Sequence, residues 1–198
     1  MVKALLVASM TKQLPDIEVD YVVGIDRGAL ICVQKGLNMD VAIGDFDSVS
    51  KEELELIRLH SKEIVMLDVI KDETDSQAAM AYVNSFDEVI LCGGLGGRID
   101  HQLINIGLVK NDSRLSLWDE NHLIYTVVVD KIIKKAGYRY LSLFACVPSI
   151  VDLSGVKYSL ANRSINEDDL YLVSNEITEE EAFLHVSGKV LIVQSNDA

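Results

Sequence analysis

Two hydrophobic periods divide this chain near residue 112. Before that point short apolar runs at residues 4–8, 21–24, 41–43, 64–67 and 88–92 alternate with amphipathic stretches at 28–35, 51–60, 76–84 and 101–110. Leu54, Ile57 and Arg58 show the spacing of a half-buried helix face. Strands separated by helices are joined as βαβ units, which build a mostly parallel sheet. Beyond residue 112 the apolar runs continue at 115–118, 123–129, 138–146, 151–153, 170–174, 182–186 and 190–193, with no helical period between them. Ser187-Gly188 separates the last two runs and reads as a hairpin loop. That half is expected to form an antiparallel sandwich. The expected fold class is therefore α/β: an N-terminal, mostly parallel α/β domain over residues 1–122 and a C-terminal antiparallel β-sandwich domain over residues 123–198, with the boundary near residues 119–125.

Composition narrows the partners. A globule of 198 residues buries roughly 70% of its unfolded surface, and 49% apolar residues with only two prolines argue against disorder. Cys32, Cys92 and Cys146 are far apart in apolar runs, which suits reduced core thiols better than a disulfide framework or a zinc site. The first apolar run ends by Ser9 and reads as a strand rather than a signal peptide. No apolar segment is long enough to span a bilayer, so a cytoplasmic protein without a membrane partner is expected. A formal charge of −13 argues against nucleic acid, whose phosphates are bound by clustered Lys and Arg.

Three polar blocks follow the ends of apolar runs. In Gly44-Asp45-Phe46-Asp47-Ser48 the two carboxylates would project to one side of an extended backbone and share a cation, and Ser48 is placed to cap the next helix. In Lys71-Asp72-Glu73-Thr74-Asp75 the aspartates are three apart at a helix start, on one helical face, with Lys71 and Thr74 beside them. Helix capping alone also explains that block. The third, Gly93-Gly94-Leu95-Gly96-Gly97-Arg98-Ile99-Asp100-His101, is a strand end, a glycine-rich turn and a helix start, where backbone NH groups receive phosphate. It lacks the Gly-Lys-Ser/Thr of a Walker loop and the last glycine of the dinucleotide fingerprint. Arg98 suits phosphate oxygens, Asp100 a metal or a hydroxyl, and His101 either catalysis or a local hydrogen bond. Oxygen ligands from several strand ends suit magnesium, which binds through a few carboxylates together with substrate phosphates.

Taken together, GDFDS, KDxTD and GGxGGRxDHxxxN, in this order, resemble the thiamine pyrophosphokinase family. The resemblance continues in Gly155-Val156-Lys157-Tyr158-Ser159-Leu160 and in Val173-Ser174-Asn175-Glu176. It implies transfer of the pyrophosphoryl group of ATP to thiamine, giving thiamine diphosphate and AMP, in a magnesium-dependent homodimer with thiamine between the subunits. Residues 1–122 would then bind ATP, and 123–198 would bind thiamine and dimerise. The resemblance makes Asp45, Asp47 and Asp72 metal ligands and, with Asp100, the catalytic carboxylates. It assigns ATP to Asp26, Arg27, Lys71, Thr74, Asp75, Gly93, Gly94, Gly96, Gly97, Arg98 and His101, and thiamine to Ser174 and Asn175. The family's early DGGAN-like segment reads Asp26-Arg27-Gly28-Ala29-Leu30 here, and the tryptophan that animal members place near thiamine has no counterpart, since Trp118 sits in a strand-like run. A phosphatase using an aspartate of GDFDS as nucleophile, and a nucleotide sensor without chemistry, are the competing readings. Neither accounts for the C-terminal segments.

Overall fold

The structure, a computed structural model, describes residues 1–70 and 72–197. Two compact units divide the chain: residues 1–108 with 117–119, and residues 109–116 with 120–198.

The first unit carries strands β1 (Lys3–Val7), β2 (Tyr21–Ile25), β3 (Met39–Gly44), β4 (Ser61–Met66) and β5 (Glu88–Cys92). They are hydrogen-bonded in the order β4-β3-β2-β1-β5, all parallel. The helices α1 (Arg27–Gln34), α2 (Lys51–Leu59), α3 (Asp75–Ala79) and α4 (Ile99–Asn111) connect them, and a 3-10 turn, Met80–Val83, follows α3. Most inner strand positions are buried on both faces, as expected for a covered parallel sheet. On one side, Val7, Ala29, Leu30, Met39, Phe46 and Ile57 pack into one apolar cluster. Gly28 is needed for this contact, because a Cβ there would run into the main-chain carbonyl of Val7. The chain builds outward from β1 to β4 and then returns to the other side of β1, so the winding direction reverses between β1 and β5.

Strand β6 (Leu115–Trp118) is split between the two units, and Trp118 packs against the apolar cluster of the first. The second unit adds β7 (His122–Val127), β8 (Lys131–Lys134), β9 (Tyr140–Ala145), β10 (Ser149–Ser154), β11 (Leu160–Ile165), β12 (Glu181–Ser187) and β13 (Val190–Ser195). In it β13 pairs antiparallel with β7 and β9, while β11, β10, β12 and β8 form a four-stranded antiparallel sheet. Leu141, Leu143 and Ile192 from the first set pack against Val151, Leu153, Leu184 and Val186 from the second, which is a sandwich.

Two local expectations are corrected. Ser187-Gly188 does not close a hairpin: β12 pairs with β10 and β8, whereas β13 pairs with β7 and β9, so this turn carries the chain from one sheet to the other. Gly188, at φ 130°, lies against Ser149, leaving no room for a Cβ. Residues 170–174 are not a strand either, although Leu172 still packs on the sandwich core. None of the three cysteines is in a disulfide, and burial pushes the Cys32 thiol up to about 12. Among the described residues no helix is long and apolar enough to cross a membrane.

Candidate functional site

The carboxyl ends of β2 and β3 carry the first half of the site. Main-chain pairing of Ile25 with Ile43 puts these ends side by side, and Asp26 N–H donates to Ile43 O at 2.8 Å. Gly44 permits the approach: a Cβ there would lie 2.9 Å from Asp26 Cα and 3.0 Å from Asp26 N. Asp26 and Phe46 both adopt positive φ, at 47° and 54°, a region that costs a non-glycine residue about 1–3 kcal/mol and concentrates at functional sites. The Phe46 ring is buried in the apolar cluster, which anchors the turn while its neighbours Asp45 and Asp47 stay accessible. The outcome is a group of three carboxylates, Asp26, Asp45 and Asp47, with oxygens within 4.8 Å of one another.

Hydrogen bonds within the group organise it without neutralising it. Asp47 N–H donates to Asp45 Oδ1 at 3.1 Å, and the Ser48 hydroxyl donates to Asp26 Oδ2 at 3.2 Å. Asp26 Oδ1 is buried with no hydrogen-bond partner. Desolvation raises the Asp26 carboxyl above its ordinary range, and the charges of Asp45 and Asp75 raise it further against the hydrogen bonds from Arg27 and Ser48. A buried carboxylate with one bare oxygen and acidic neighbours fits a hard divalent cation. The donor set, all oxygen, is the set magnesium takes.

The second half lies at the carboxyl ends of β1 and β5, where the winding reverses. A cavity of about 320 Å³ opens there, lined by Ser9 and Met10 after β1, by the loop from Gly93 to Arg98 after β5, and by Ser76, His101 and Asn105. Gly93, Gly96 and Gly97 have φ of 69°, 85° and 68°, and a Cβ on Gly93 would strike Thr11. Buried Asn105 fixes the loop from α4 by donating to Gly94 O at 2.8 Å. In open α/β sheets, ligands bind beyond the carboxyl ends of strands where the order reverses.

Arg98 and Asp100 form an exposed fork at 3.1 and 2.5 Å. The hydrogen bonds from the Arg98 guanidinium hold the Asp100 carboxyl down at about 2. So held, Asp100 is a weak proton acceptor and a firm support for Arg98. His101 is exposed, and its main-chain N–H rather than its ring meets Asp100, at 3.0 Å.

The remaining expected residues fall as follows. Among the described residues the three-carboxylate group contains Asp26 and not Asp72, which is exposed ahead of the cap of α3. Thr74 is that cap, accepting from Gln77 N–H at 3.3 Å, so Asp72 and Asp75 do not share a helical face. Asp75 opens the helix and lies near enough to Asp26 to act on its charge. Ser48 is not a cap; Ser50 is, in a reciprocal capping box with Glu53. Arg27 donates to Ser48 O at 3.2 Å. Lys71 lies outside the described residues. In the second unit Ser174 has φ 58°, and its N–H donates to the Ser142 hydroxyl. The Asn175 side chain is 8% exposed and engaged: Oδ1 accepts from Tyr158 N–H and Glu176 N–H, and Nδ2 donates to Tyr158 O. Sequence reasoning missed Ser9, Met10 and Ser76 and gave no role to Asn105, the last residue of the GGxGGRxDHxxxN segment; the end of β1, beside the strand-order reversal, was the available signal for the first two.

Comparison with known proteins bears on the family and the fold. Residues 17–118 match the family model described as thiamin pyrophosphokinase, catalytic domain, and residues 129–191 match thiamin pyrophosphokinase, vitamin B1 binding domain. The chain is 30% identical over 186 residues to thiamine pyrophosphokinase of Bacillus subtilis strain 168, covering 88% of this chain and 87% of that protein. A crystal structure of a thiamin pyrophosphokinase family protein from Enterococcus faecalis superposes with a TM-score of 0.86 at 30% identity, covering 99% of this chain and 100% of the other. The crystal structure of the Bacillus subtilis enzyme gives 0.87 at 25% identity with the same coverage. The two matched domain models, the identity to the Bacillus subtilis protein and the fold agree: this chain belongs to the thiamine pyrophosphokinase family.

Proposed function

We propose that this chain carries out its family's reaction with ATP as donor: the β phosphorus of ATP is attacked by the hydroxyl of thiamine, giving thiamine diphosphate and AMP. The observation that carries the reading is the side-by-side placement of the carboxylate group after β2 and β3 and the glycine-loop cavity after β1 and β5, on one edge of a parallel sheet. Asp26, Asp45 and Asp47 would hold magnesium, which when bound offsets polyphosphate charge and acts as a Lewis acid at phosphoryl oxygens. Asp75, the first residue of α3, adds a further negative charge near Asp26, and Asp72 precedes the cap of that helix. The loop from Gly93 to Gly97 cradles phosphate oxygens, with Arg98 held by Asp100 for bidentate contact. Thiamine is taken by the second unit, whose matched model carries vitamin B1 binding in its description. The working form is a cytoplasmic homodimer with thiamine between subunits.

In this reading protein groups hold reactants in line and place positive charge where the leaving phosphate develops negative charge. Incubation with ATP, magnesium and thiamine should give AMP and thiamine diphosphate in equal amounts. Stoichiometric ADP would mean attack at the γ phosphorus and would overturn the reading. Elution as a monomer under assay conditions would remove the dimer from it.

A further inference from the structure

The loop from Gly93 to Gly97 carries three glycines at positive φ, and glycine loses more conformational freedom on ordering than any other residue. A loop of that kind binds weakly if the ligand must order it, and more tightly if the protein holds it beforehand. Asn105 holds it from the side of α4. On its other side lies the turn that follows β1, residues 8–11, which Thr11 fastens. We infer that Thr11 is a positioning residue for the nucleotide: its hydroxyl locks this turn, and the locked turn holds the glycine loop in its receiving shape through Gly93 and through Met10. The inference rests on the functional reading above, in which the loop receives phosphate.

Three observations carry it. Thr11 is polar yet 8% exposed, and it closes the turn twice on one acceptor: its hydroxyl donates to Ala8 O at 2.8 Å, and its N–H donates to the same oxygen at 3.2 Å. Ala8 is itself fixed to the end of β5, because its N–H donates at 2.9 Å to the carbonyl of Cys92, the residue before Gly93. Turn and loop therefore leave the sheet side by side. Next, Gly93 lies directly against the turn: a Cβ there would strike Thr11 N and Oγ1 and come within 2.6 Å of Ala8 O. Finally, Met10 in the same turn reaches the far end of the loop, where a Cβ on Gly97 would lie 3.4 Å from its Sδ and one on Gly96 3.6 Å from its Cε. One turn thus touches the loop at both ends, and both line the cavity after β1 and β5. Without the hydroxyl the turn keeps only its longer bond, and both contacts with the loop loosen.

The test compares Thr11→Val, which keeps the volume and removes the hydroxyl, with Thr11→Ser, which keeps the hydroxyl. Loss of one buried hydrogen bond should raise the ATP KM, and the ATP Kd measured by calorimetry without thiamine, about three- to tenfold, with kcat and the thiamine KM within about twofold of wild type. Binding that is equal in ground and transition states behaves in this way. Thr11→Ser should stay within about twofold of wild type throughout. In nucleotide-free protein, main-chain amide exchange over residues 93–98 should quicken in Thr11→Val and not in Thr11→Ser. A threonine that only supports the fold would lower Tm in Thr11→Val and leave the ATP KM where it was. An unchanged ATP Kd in Thr11→Val, or one raised equally in Thr11→Ser, overturns the inference and leaves the activity standing. If Thr11→Val does not fold, Met10→Ala decides, since that side chain is 45% exposed: it should raise the ATP Kd about threefold without lowering Tm, and an unchanged Kd overturns the inference. If the wild type binds no ATP and forms no AMP, the functional reading falls. Amide exchange then decides the positioning, because faster exchange in Thr11→Val supports it and unchanged exchange overturns it.

Discussion

Gly44→Ala should disable the carboxylate group without touching a carboxylate. The new Cβ would lie 2.9, 3.0 and 3.1 Å from Asp26 Cα, N and Cβ. Ordinary carbon contacts lie at about 3.5–4.0 Å, so one strand end must move by roughly 0.5–1 Å. The Asp26 main chain cannot yield cheaply, because its N–H is bonded to Ile43 O at 2.8 Å and it already holds φ 47°. Overpacking of this kind costs about 1–3 kcal/mol, which for a chain of this size is roughly 2–12 °C in Tm. A displacement of about 1 Å at a charged site costs on the order of a hundredfold in rate. The expected variant is folded, somewhat less stable, and reduced about a hundredfold in kcat/KM. Initial rates of AMP formation across a magnesium titration, beside melting curves, make the measurement. Gly107→Ala is the control: it lies in α4 with no atom within 4 Å of the added Cβ, and it should gain up to about 1 kcal/mol with unchanged rate. If Gly44→Ala kept wild-type rate and magnesium dependence, the close approach of Asp26 to β3 would have no functional meaning.

Other outcomes follow from the same geometry. Asp26 has a folded-state pKa raised by burial, so the folded state holds the proton more tightly than the unfolded one, and this contribution to stability is lost as pH rises through the folded value. Magnesium should therefore raise Tm more at pH 7 than at about pH 4, where the group takes up a proton instead. Asp26→Asn should raise Tm in chelator and abolish the magnesium shift, and a shift of wild-type size in that variant would exclude Asp26 as a ligand. Because Arg98 holds the Asp100 carboxyl at about 2, Asp100→Asn should not displace the acidic limb of the rate profile above about pH 4; a displaced limb would make Asp100 a titrating base. Asn175→Ala removes three hydrogen bonds at a residue 8% exposed, and should cost about 2–4 kcal/mol by chemical denaturation, whereas Ser174→Ala should cost less than about 1 kcal/mol. Equal, small losses in the two would refute the clasp.

The strands of the first unit were legible to within a few residues, because the apolar runs of β1, β2, β3 and β5 are mostly buried and helical spacing separates the strands from β2 onward. The second unit was read less well, and its geometry explains why. Both strands absent from the sequence reading, β8 and β11, are the edges of the four-stranded sheet, with burial on few of their residues. An edge strand such as Leu160–Ile165 carries so little apolar signal that it reads as loop. The alternation flanking Ser187-Gly188 was real, but alternation says which face is buried and not which sheet the strand joins. At the site, GDFDS and the glycine-rich loop stood out through residue types with few other uses. The convergence of Asp26 on Asp45 and Asp47 did not, since it depends on two non-glycine residues at positive φ, which residue identity does not announce. The same holds for Asn175, whose partner at Tyr158 is set by a contact between two loops.

The crossing at Ser187-Gly188 bears on when the second unit can fold during synthesis. Strand β13 is the common partner of β7 and β9, yet it follows both in the chain, and Ser195 pairs with His122 across 73 residues. At about 5–20 residues per second, β7 waits roughly 4–15 s on the ribosome for the strand that completes its ladder. Through that interval β9 also lacks its partner, so edges later buried in the sandwich stay open to other chains. The first unit carries no such delay for β1 to β4, whose neighbours arrive in order. Chaperone dependence and aggregation on overexpression should therefore trace to the β7 and β9 edges, and stalling translation between residues 146 and 190 should leave a folded first unit carrying an unpaired, protease-sensitive second one.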